Sequence, residues 1–129
     1  MAQEKRRFER TEFTGENSIP GIFIMEDCPE EIHKAAIMDL SLGGMGILFY
    51  QDMSECLKKG DVIRLSEIRG ISSLAFMKDI KMKVRWISLQ SSDRFAAGCE
   101  FQELPEDIKE KLKTAMASWK IRLIHIPAD

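Results

Sequence analysis

Long apolar runs are missing from this 129-residue chain. None approaches the roughly 18 to 20 residues that a membrane helix needs, so no membrane insertion is expected. The first residues, Met1 to Thr11, are charged and lead into no apolar stretch, which argues against a secretory signal and for a cytoplasmic location. Cysteine is scarce: Cys28, Cys56 and Cys99 are odd in number and widely spaced, which suits neither a disulfide framework nor a C-x-x-C zinc site. His33 and His125 stand alone, without the i, i+4 partner of a helical metal site, so no metal is expected.

Excess positive charge is also absent. The net charge of −2 excludes a protein whose whole surface grips a nucleic-acid backbone, and aromatic residues at 8% are too few for a stacking groove along a single strand. No nucleic-acid partner is expected, and any anion site must be local. No Ser-His-Asp order, P-loop or metal spacing is present, and neither histidine is placed beside Ser41 or Asp39 by any motif. The expectation is a binding protein and not an enzyme.

What the chain does contain is strand patterning. Hydrophobic residues at 44% and charged residues at 31% are ordinary for one globular domain. Short β-forming segments are expected at Ile19 to Met25, His33 to Asp39, Met45 to Tyr50, Val62 to Ile68, Leu74 to Leu89 and Phe95 to Phe101, with turn residues between them. Met53 to Lys59 can hold a single helical turn. In the longest segment Phe76, Ile80, Met82, Val84 and Trp86 share one parity, while Asp79, Lys81, Lys83 and Arg85 share the other. That is period two with one buried face, which assigns Trp86 to the core. Connections are short enough for hairpins or a meander, and closure into a barrel would remove exposed edges.

From Ile108 the period changes. Ile108, Leu112, Ala115, Met116, Trp119 and Leu123 form one helical stripe, predicting a helix over about 105–123 that begins at Pro105. Glu106 and Asp107 complement its positive end. The stripe serves either as a lid on the barrel or as the surface of a homodimer. Residues 1–17 have no apolar period and read as a flexible basic segment, leaving 18–129 as the folded domain.

Two motifs carry chemistry. Arg6 and Arg10 make an R-x-x-x-R with Arg7 between them; each guanidinium offers a planar fork for a phosphate or a guanine edge and a flat face for stacking. By itself such a motif is most often a solvated tail. Asp39, Ser41, Gly43 and Gly44 stand in a D-x-S-x-G-G turn between two expected strands. The carboxylate can accept from guanine N1–H and N2–H₂, the hydroxyl can donate to phosphate, and glycine admits close backbone approach. By itself this is most often an Asx or Ser turn.

In this order, followed by more strands and a helix, the two motifs resemble the PilZ domain family. Val84-Arg85-Trp86-Ile87 and the F-x-x-G-x-x-F from Phe95 to Phe101 are similar to its late strands. The resemblance runs from about Glu4 to Lys120. It implies a mostly β fold, a six-stranded antiparallel barrel with a C-terminal helix, that binds cyclic di-GMP. It further implies that Arg6, Arg7 and Arg10 hold guanine edges and phosphates, Asp39 reads a guanine, Ser41 meets a phosphate, and Gly43 and Gly44 keep the turn open. Lys5 stands where a basic residue accompanies a stacked pair of ligands in the family, and Trp86 is a further candidate for stacking. The implied role is transmission of the second messenger to an effector protein in motility, adhesion or exopolysaccharide control. The alternative is an adaptor of the same fold that works through protein contacts and binds no nucleotide.

Overall fold

A computed structural model of the chain describes residues 11–12, 19–26 and 28–125, with side chains over 19–26 and 30–118. Seven strands and one helix follow in order: β1 (Thr11–Glu12), β2 (Ile19–Met25), β3 (Cys28–Leu40), β4 (Gly44–Phe49), β5 (Val62–Ile68), β6 (Ile80–Ser91), β7 (Arg94–Phe101) and α1 (Glu106–His125). All pairings are antiparallel. β2 to β4 form one meander and β5 to β7 another; β2 pairs β5 and β4 pairs β7, which closes six strands into a barrel. Closure satisfies most strand edges internally, as the alternating sequence required.

The barrel interior is filled by alternate residues of β2 to β7. Phe23, Ile37, Ile47, Leu65, Met82, Val84, Phe95 and Ala97 are all essentially inaccessible to solvent. Phe49 packs tilted against Phe23 and edge-on to Phe95, with ring centroids 6.1 and 6.5 Å away. Such tilted contacts add to the burial of the rings themselves. Between β4 and β5 the expected helical turn forms, since Leu57 N–H donates to the Met53 carbonyl at 2.8 Å, and both side chains are buried.

At the other end, α1 starts where Pro105 offers its carbonyl to Lys109 N–H at 2.9 Å. Leu112 is fully buried, and Ile108, Ala115 and Met116 pack against the barrel core. Within the described residues the stripe therefore acts as a lid; the side chains of Trp119 and Leu123 lie outside them.

Three expectations change. β3 is longer than His33 to Asp39, because it pairs β2 along one part of its length and β4 along the other. The segment from Leu74 does not enter β6 directly. Ser72–Leu74 forms a 3-10 turn, Lys78 N–H bonds back to the Phe76 carbonyl, and Asp79 takes a left-handed φ of 52° that ends this turn and starts the strand. Phe76 therefore packs against the core from a loop.

The third change concerns Trp86, which is 41% exposed. Val84 faces Cys99 and Trp86 faces the next residue back, Gly98, so Arg85 is an extra residue on β6. This β-bulge inverts the alternation beyond it and turns the indole to the outside.

Candidate functional site

The D-x-S-x-G-G turn is built by hydrogen bonds from its own backbone. Ser41 Oγ accepts from Gly43 N–H at 3.1 Å and from Gly44 N–H at 3.2 Å, and Ser41 N–H donates to the Gly44 carbonyl at 2.9 Å. The side chain is 7% exposed, so its hydroxyl serves the turn first. Neither Gly43 nor Gly44 has positive φ; among the described glycines only Gly60 and Gly70 do. Glycine is required at 44 for another reason. A Cβ there would collide with the Cys99 carbonyl of β7, which lies across the strand pair. Gly43 contributes its carbonyl, accepting from Phe101 N–H at 2.9 Å, and this locks the turn to the end of β7.

Asp39 is aimed outward by a second bulge. Ile37 faces Ile47 and Asp39 faces Gly46, leaving Met38 as the extra residue on β3. Without it Asp39 would share the inward parity of Ile37. The half-buried carboxylate accepts from Gly46 N–H at 2.9 Å through Oδ1. A Cβ on Gly46 would stand 2.7 Å from its Oδ2, too close for the carboxylate to stay.

The registers then align a row across the outer face. Asp39 faces Gly46, Gly46 faces Gly98, and Gly98 faces Trp86. Residues directly opposite in a sheet share a face, so the row spans three strand spacings, about 14 Å. Its two inner positions are glycines: the Asp39 carboxylate lies over Gly46, and the Trp86 indole lies where a Cβ on Gly98 would be. A carboxylate and a part-exposed indole thus sit over neighbouring glycines of β4 and β7. They are the two kinds of group that hold a purine, one by its donor edge and the other by its face. Gly46 carried no local signal in the sequence, because it acquires meaning only from what lies on the adjoining strands.

β1 completes the local geometry. Thr11 faces Leu40 and Glu12 faces Asp39, so this two-residue strand lies beside the motif turn, within a segment expected to hold no strand. Lys5, Arg6, Arg7 and Arg10 lie outside the described residues. Among the described residues no group of three or more His, Cys, Asp or Glu could hold a metal ion, and no helix is long and apolar enough to cross a membrane, which says nothing of strands.

The closed six-stranded barrel with one terminal helix defines the architectural class. The family model described as PilZ domain matches residues 4–118, and the chain belongs to that family. No curated protein matches. Among solved structures it is similar to the PilZ domain with cyclic di-GMP of YcgR from Escherichia coli, at 16% identity, a TM-score of 0.73, and coverage of 93% of this chain and 95% of that one. It is also similar to the K. pneumonia MrkH complex with cyclic di-GMP, at 14% identity and a TM-score of 0.74, covering 95% and 55%. The Bacillus subtilis inhibitor of motility (MotI/DgrA) aligns at 18% identity and a TM-score of 0.68, covering 93% and 53%. The chain therefore spans about half the length of these last two proteins.

Proposed function

We propose that this chain is a cyclic di-GMP receptor whose site lies on the outer face of the barrel, at the β3–β4 turn. The observation that carries the reading is the pairing of Thr11 with Leu40, between Asp39 and Ser41. Consecutive Cα atoms are about 3.8 Å apart, so covalent reach alone keeps Arg10 close to that turn. This supports a reading in which the two motifs, distant in sequence, act together.

In this reading Arg6, Arg7 and Arg10 supply the phosphate and guanine contacts, Asp39 reads a guanine edge, and Trp86 offers a face for stacking. Gly43 and Gly44 hold the turn against β7, and Lys5 adds positive charge toward a second stacked ligand. Ser41 reaches a phosphate by sharing the hydroxyl that now serves the turn. Charge-assisted hydrogen bonds contribute about 1.5 to 3 kcal/mol each, so three or four supply the roughly 8 kcal/mol of micromolar binding even after some ordering cost. Residues 1–17 act as a clamp over the ligand and 18–129 as the domain that carries it. The altered surface is what an effector in motility, adhesion or exopolysaccharide control then meets.

Calorimetric titration with cyclic di-GMP, against GTP and cyclic di-AMP as controls, tests this directly. Micromolar or tighter binding of cyclic di-GMP alone is expected, and Arg10→Ala weakens it at least tenfold with the melting temperature unchanged. No heat from any of the three nucleotides would leave the adaptor as the surviving reading.

A further inference from the structure

Within the described residues the second half of β6 is paired on one edge only. β5 pairs only with Ile80 to Lys83, and the hydrogen bonds of Val84 to Gly60 and Asp61 are the last on that side. From Trp86 to Ser91 the strand pairs with β7 alone. Among the described residues nothing occupies its other edge, so the outward-pointing N–H and C=O groups have no protein partner.

The side chains along this edge are apolar where solvent should favour charge. Ile87 and Leu89 face Ala97 and Phe95, both members of the core. They therefore stand on the core side of the sheet, yet Ile87 is 38% and Leu89 54% exposed. The apolar inner face of the barrel runs on past the end of β5 into solvent. Natural edge strands are usually guarded by lysine, proline or an inward charge, and Trp86 to Ser91 contains none of these. The cations that flank the segment in sequence are engaged elsewhere: Arg85 pairs with Glu100 at 2.8 Å and Arg94 lies 5.4 Å over the Tyr50 ring.

We propose that this edge pairs antiparallel with the same edge of a second copy of the chain, forming a two-fold symmetric dimer. A strand edge calls for another strand, and the segment is complementary to itself. A register centred on Ser88 sets Ile87 of each copy opposite Leu89 of the other, two apolar pairs with no two like charges together; a shift of two residues either way leaves one such pair, Ile87 on Ile87 or Leu89 on Leu89. The bulges at Arg85 and Gln90 bound the ladder, and a two-fold contact uses the same edge of both copies, so pairing closes at two. The inference is independent of the nucleotide reading, since it rests on the edge and core side of β6 and not on the outer row.

Sedimentation of the full chain at high micromolar concentration is expected to give a dimer, and Leu89→Lys a monomer with the same circular dichroism spectrum and the same response to cyclic di-GMP. The dimer dissociation constant should rise at least tenfold in this variant. If Leu89→Lys does not fold, Ser88→Lys replaces it with the same expectation. Ser88→Cys in a Cys28→Ser, Cys56→Ser background should cross-link on mild oxidation, because opposed Cβ atoms at the centre of the ladder lie about 4.5 to 5.5 Å apart. A monomeric wild type overturns the proposal. So does a dimer that survives the folded lysine variant, or one in which Ser88→Cys fails to cross-link.

Discussion

The two halves of β6 are one continuous strand with opposite surroundings. From Ile80 to Val84 alternate residues are buried, both edges are paired, and the pattern is the one the sequence shows. Beyond Arg85 the parity is inverted, one edge is open, and Trp86, Ile87 and Leu89 are all exposed. Hydrophobicity hardly differs between the halves. What differs is the neighbouring strand, and the contrast teaches that an apolar side chain in a sheet is core only where the next strand covers it.

A charge placed in each half breaks or sharpens that contrast. Val84→Lys should cost at least about 4 kcal/mol and leave the domain largely unfolded by urea titration, because an ammonium group would enter a dry core. Leu89→Lys should change the stability of the monomer by no more than about 0.5 kcal/mol, as surface substitutions usually do. Equal losses in the two variants would show that Leu89 is part of the core after all.

Gly98→Val probes the bulge from across the sheet. A side chain there meets the indole that Arg85 turns outward, and overpacking of this kind costs about 1 to 3 kcal/mol. The expected readout is a lower melting temperature together with at least a tenfold loss of cyclic di-GMP affinity by calorimetry. Retained affinity would remove Trp86 from the proposed site. Asp39→Ala should have a smaller effect on stability, about 1 kcal/mol for the lost bond from Gly46, with nucleotide affinity again falling at least tenfold.

The smallest effect at neutral pH belongs to Cys99, on the inner face beside the outer row. Burial pushes its thiol from 9.0 up to about 12. The unfolded chain therefore loses this proton first. Stability is unaffected below pH 9 and falls by about 1.4 kcal/mol per unit between pH 9 and 12 as the unfolded thiolate is favoured. Urea midpoints at pH 8 and pH 10, compared between wild type and Cys99→Ala, isolate this contribution. Parallel curves would mean that the thiol titrates normally.

Much of the architecture was legible locally. The strands around Phe23, Ile47, Leu65 and Phe95 follow from period-two patterning, and α1 follows from the stripe through Leu112 with Pro105 at its start. Less of the site could be read this way. Asp39 and the motif glycines stand out as turn chemistry, yet Gly44 is needed because a carbonyl of β7 presses against it. Gly46 was passed over because its neighbour is Asp39, seven residues earlier in the chain.

The amino-acid sequence alone determined that this chain would form short amphipathic strands and a terminal amphipathic helix, because side-chain periodicity acts through local geometry. It also contained both motifs in the order that the PilZ family shows. Which faces Asp39 and Trp86 present was decided only in the closed barrel. A bulge is a mismatch in residue count between two strands, and neither strand contains it by itself.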